Sequence, residues 1–150
     1  MSKERNLKGF TLIEVLIVIG LIAILAAVTV IALNPTKNFQ DARNAERRGE
    51  IAQIMNALNQ YSIETVNSSS FTTLLTSVTV CGVADTNIIT TPGAGLAVYT
   101  YIVPSQIAEI PADPSSGSAT DTGYDICKTG TRLTIKAPSA EAGVTISLSR

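Results

Sequence analysis

Residues 8–20 read KGFTLIEVLIVIG, and one residue among them decides how the chain is read. From Phe10 to Leu33 the only charged side chain is Glu14. An isolated carboxylate buried in lipid costs on the order of several kcal/mol, so either the run is not in lipid or Glu14 has a partner there. As a helix rising 1.5 Å per residue the run measures about 36 Å, enough to cross a hydrocarbon core of about 30 Å with some tilt. Lys3, Arg5 and Lys8 stand before it. The positive-inside bias therefore keeps the N-terminus cytoplasmic and sends the rest of the chain outward.

The 150 residues are enough for one membrane helix and a small head. A net charge of −1 hides an uneven spread: residues 1–9 are net positive and the rest net negative. No basic block is large enough to make nucleic acid the main partner. The absence of histidine removes Ser-His-Asp and Cys-His nucleophile systems together with the commonest metal ligand. Two cysteines, Cys81 and Cys127, cannot make a four-ligand zinc site alone. On the outer, oxidising side of a membrane the pair reads as one disulfide; two separate buried thiols are the alternative. A bridge would close a loop of roughly 45 residues, for which chain entropy gives on the order of 4 kcal/mol.

A cleavable signal peptide has a shorter apolar core and an Ala-x-Ala site, neither of which is present. A lipoprotein would need a cysteine close behind the run, and a plain signal anchor gives Glu14 no reason. Gly9-Phe10-Thr11-Leu12-Ile13-Glu14, behind a short basic leader and ahead of an apolar run, closely resembles the class III signal of type IV pilins and related pseudopilins. The resemblance implies that a membrane-embedded prepilin peptidase cuts between Gly9 and Phe10 and methylates the new amine of Phe10. It also implies that Glu14 pairs with the Phe10 amine of a neighbouring subunit and sets the register of each incoming copy.

That pairing answers the problem of Glu14, because it supplies a positive partner at the same depth. Two other readings stand beside it. The amine of the same chain lies about one helical turn away, and Glu14 near a helix end can snorkel towards headgroups. Gly20, Ala23, Ala26, Ala27 and Ala32 would let neighbouring helices approach closely.

Asn34-Pro35 predicts a kink or local break after the span. Helix then resumes through residues 37–62, where Ile51, Ile54, Met55, Leu58 and Tyr61 form one apolar stripe to seat a head. Arg43, Arg47 and Arg48 alternate with Asp41, Glu46 and Glu50, predicting a solvated or inter-subunit ion-paired surface rather than a DNA site. From about residue 66 the composition turns to Thr, Ser, Gly and Val, predicting an irregular region with one or two short elements. Residues 96–103 (LAVYTYIV) alternate like a strand. YDICK (124–128) and RLTIK (132–136) flank a short turn. GVTISLS (143–149) alternates Val144, Ile146 and Leu148 inward.

The fold class expected is α+β: a long N-terminal helix, membrane-spanning in its first half, packed against a small antiparallel sheet. The segments expected are a leader at 1–9, a transmembrane and assembly helix at 10–33, an amphipathic continuation at 34–65 and a β-rich head at 66–150. The order of elements is similar to that of pilins.

No phosphate loop, catalytic acid pair or nucleophile elbow is present. No enzyme activity and no cofactor is expected. Asp113, Asp121 and Asp125, among Ser and Thr oxygens, form a weak calcium candidate against the plain reading of a solvated turn. Lys128, Arg132 and Lys136 would make a small basic edge, for which adhesion or DNA contact is one role and protection of an exposed strand the commoner one.

The resemblance implies a structural subunit that waits as a single-pass protein of the inner (cytoplasmic) membrane. A pilus assembly platform and its ATPase then build it into an extracellular homo-oligomeric filament. A pseudopilin of a type II secretion or DNA-uptake apparatus is the alternative. A membrane-anchored enzyme or binding protein with a chance GFTLIE start is the third reading.

Overall fold

The computed structural model describes residues 9–64, 68–83, 85–89 and 98–150. Contacts divide the chain into two units, residues 1–38 and 39–150.

In the first unit, helix α1 runs over Leu12–Leu33. Thr11 caps it, its hydroxyl accepting the Glu14 amide at 3.2 Å, which satisfies one of the free N–H groups of the first turn. The helix stops at Asn34, which takes up a left-handed conformation with φ of 40°. Pro35 then opens the next helix, α2 (Pro35–Ile63), at the position where its missing N–H costs nothing. Asn38 closes the junction by donating its side-chain amide to the Leu33 carbonyl at 2.9 Å. No residue of α1 is buried. With a mean hydropathy of 3.2, α1 is long and apolar enough to cross a membrane.

The second unit is a helix-on-sheet head. The buried face of α2 carries Ile51, Ile54, Met55, Leu58 and Tyr61, the stripe expected from their spacing, and Asn44 and Arg47 extend it backwards. Four strands follow the meander order β1 (Thr86–Ile89), β2 (Asp121–Thr129), β3 (Arg132–Ala137) and β4 (Ile146–Ser149), all antiparallel. In β2 the residues Thr122, Tyr124 and Ile126 are buried; in β3 Leu133, Ile135 and Ala137 are. This period of two lays one sheet face on α2. Ile126 stands opposite Ile135 and Ile135 opposite Leu148, so one row of aliphatic side chains crosses three strands. Ile126 and Ile135, both fully buried, each contribute about 1.5–3 kcal/mol. The long helix over a small antiparallel sheet makes the fold α+β.

Two strand expectations are corrected. The stretch 96–103 is not a strand: Tyr99–Ile102 form the short helix α4, and residues 96 and 97 lie outside the described residues. Val98 and Ile102, four apart, are both fully buried, so the same letters satisfy a helical spacing. The fourth strand is β1, inside the Ser/Thr-rich region, which also holds helix α3 (Ser68–Ser77). Val144 is exposed and precedes β4 instead of pointing inward.

Candidate functional site: the N-terminal turn and the polar tie of the head

The first turn of α1 gathers the residues that the sequence singles out. Phe10 is 84% exposed and precedes the Thr11 cap, and Glu14 follows in the first helical turn. A carboxylate there is favoured by the unpaired amides of the helix start. Phe10, Glu14, Val15 and Val18 line one hollow of about 280 Å³ on the helix surface. The Glu14 carboxylate has no hydrogen-bond or ion-pair partner among the described residues. The chain thus presents an aromatic residue, a carboxylate without a partner among the described residues and an uncovered apolar helix in one place. Of the leader, residues 1–8 lie outside the described residues.

In the head, polar groups meet where a solvated helix surface was expected. Arg47 is fully buried, donating Nε to Asp113 Oδ2 at 2.7 Å and Nη2 to Ser115 Oγ at 2.6 Å. Its Nη1 reaches the Asn44 side chain at 3.0 Å. The Asn44 side chain in turn accepts the Glu141 amide and donates to the Glu141 carbonyl, each at 3.0 Å. Arg43 forks onto the Glu141 carboxylate, with Nε to Oε1 at 2.7 Å. Three side chains from two turns of α2 therefore tie down two segments far along the chain. Of the three arginines expected on the surface, only Arg48 stays exposed without a partner among the described residues.

The electrostatics follow from these contacts. Burial pushes the Asp113 carboxyl up, but Arg47, the Ser115 amide and hydroxyl and the Ser116 amide outweigh it and hold it well below the usual carboxylate range. The hydrogen bond to Asp113 holds Arg47 above its ordinary value. Nearby, the Tyr124 hydroxyl donates to Glu50. Burial raises both groups, outweighing for Glu50 the lowering effect of that bond.

The calcium candidate is corrected on the same geometry. Asp113 is committed to Arg47 and to its own loop, and Asp121 Oδ1 accepts the Gly123 amide at 2.9 Å. No three His, Cys, Asp or Glu residues gather for a metal among the described residues. Asp125 lies half-buried in β2, beside Lys136 in register. The basic edge is corrected too. Lys128 Nζ donates to the Leu75 carbonyl, and Lys136 pairs with Asp85 at 2.7 Å. Their strands, β2 and β3, are the two inner ones.

Cys81 and Cys127 are joined, with Cα atoms 4.9 Å apart. The bridge fastens the turn after α3 to β2 beside two backbone hydrogen bonds, Cys81 N to Lys128 O and Lys128 N to Thr79 O, both 2.9 Å.

A family model of the prokaryotic N-terminal methylation motif matches residues 5–30, the end of the leader and most of α1. No curated protein and no solved structure matches the chain. The motif is the class III signal of type IV pilins and pseudopilins, and with the uncovered apolar helix it fits a membrane-anchored, pilin-like precursor. It belongs to structural proteins and implies processing by prepilin peptidase and assembly in general.

Proposed function

We propose that the chain is a structural subunit of a type IV pilus. The leader is cut between Gly9 and Phe10, the Phe10 amine is methylated, and an ATP-driven platform draws the subunit from the membrane into a helical filament. One observation carries the reading: the apolar surface of α1 is uncovered, and its one carboxylate, that of Glu14, has no partner among the described residues. A membrane covers the apolar surface but leaves the carboxylate only to snorkel towards headgroups, with no fixed partner. A bundle of identical helices does both, each Glu14 meeting the Phe10 amine of the next subunit. Small residues along α1 favour such close packing.

A pseudopilin uses the same N-terminal segment. The test is to shear surface filaments from the native cell and identify their main chain. This protein as the principal component establishes a pilus subunit. Its absence from filaments, with loss of secretion or DNA uptake on deletion, establishes a pseudopilin.

A further inference from the structure

The head carries a groove that none of its described residues fills. It lies between α2 and β4, encloses about 260 Å³, and is lined by Ile51, Ala52, Ile146 and Leu148 with Arg48 at its lip. Strand β4 is the edge of the sheet. Leu133 and Arg150 exchange both backbone hydrogen bonds, so by alternation Leu148 and Ile146 also face β3. The backbones of Ser147 and Ser149 then face outward. No charge or proline protects this edge, which reads VTISLS over residues 144–149.

Arg48 is exposed and has no partner among the described residues, so the groove calls for a carboxylate. The head offers one on an irregular surface segment. Ala108 and Glu109 are exposed, and Glu109 also lacks a partner among the described residues. Gln106 fastens this segment to Glu64, just past the end of α2, with Nε2 to Oε1 at 2.7 Å. From Arg48 to Ile63 the helix rises about 22 Å, so the acidic segment and the basic groove belong to different levels of one head. A contact between them therefore joins two copies displaced along α2. It is head-to-tail, and such contacts need not close on themselves.

The geometry points to the groove as the seat for residues 107–110 of a second copy, with Glu109 on Arg48 and Ala108 on the apolar floor. Asp41 and Glu46 are exposed acids as well, but they stand within two turns of Arg48 on the same helix. A copy offering them would lie alongside, without the step along α2.

This docking rests on the filament reading, and the test separates the two. The full-length chain carrying Ala52→Cys and Ala108→Cys is expressed in its native cell, and sheared filaments are run without reductant. The docking predicts a ladder of cross-linked copies that neither single variant gives. It also predicts that Arg48→Glu and Glu109→Arg each lower filament yield about tenfold. The two together restore it, while head melting temperatures stay unchanged. Filaments of the double-cysteine variant with no ladder, or charge reversals that assemble normally, overturn the docking alone. A cross-link to a different protein overturns it as well. Failure of the wild-type chain to enter any filament overturns the filament reading itself.

Discussion

Arg47 and Asp113 stand 66 positions apart and meet as an ion pair with neither side chain exposed. The pair is the point where α2 holds the loop ahead of β2. Removing one partner strands a buried charge, at a cost of about 3–5 kcal/mol. Arg47→Ala and Asp113→Ala are each expected to lower head stability by that order in urea unfolding. The double variant should lose clearly less than the sum, because each change removes the same interaction. Additive losses would show that the two side chains act separately.

The pair also sets a pH dependence. The folded-state pKa of Asp113 lies below its unfolded value of about 3.9. Its contribution is therefore complete above that value and is lost as pH falls through the folded one. Glu50 has the opposite sign. Burial raises it, so the fold loses stability as pH rises from about 4.3 through the folded value. Glu50→Gln should thus be neutral or stabilising at pH 7 while still accepting from Tyr124. Melting curves between pH 2 and 7 check both: Asp113→Asn flattens the acid limb, and Glu50→Gln flattens the opposing slope.

The loop around Asp113 closes only because two of its neighbours lack a Cβ. A Cβ on Gly117 would stand 2.7 Å from the Asp113 backbone N and O, and Gly123 holds a positive φ of 73° against Ser116. Gly117→Ala must push the loop away from Arg47, and a loss of about 2–3 kcal/mol is expected. Full stability in this variant would mean that the loop can shift without loosening the ion pair.

Much of the fold was legible from periodicity. The spacing Ile51, Ile54, Met55, Leu58, Tyr61 identified the face of α2 that is buried, and the two runs around Thr129-Gly130-Thr131 identified the central hairpin. Residues 96–103 misled because a short apolar run fits both periods, and the buried pair Val98 and Ile102 chose the helical one. Arg47 was missed because its charge suggested solvent and its partner lies far along the chain. A signal was present: continuing the apolar stripe backwards from Ile51 by four and seven positions lands on Arg47 and Asn44. The commitment of Asp113 to Arg47 could not be read from the aspartates themselves, since spacing alone does not show which carboxylate is occupied.

Glu14 is expected to act in assembly and not in insertion. Glu14→Val should enter the membrane at normal levels and lose its leader, yet fail to enter filaments. Normal filaments from this variant, scored by electron microscopy and shearing, would end the register argument. Gly9→Val should remain uncut, and a shortened product would move the cleavage site.

The most direct test is the intact and N-terminal peptide mass of the protein purified from its native cell. The account predicts a chain that begins at Phe10 and carries one added methyl group. A chain still holding residues 1–9 would contradict it, making α1 a plain anchor and leaving Glu14 without a partner.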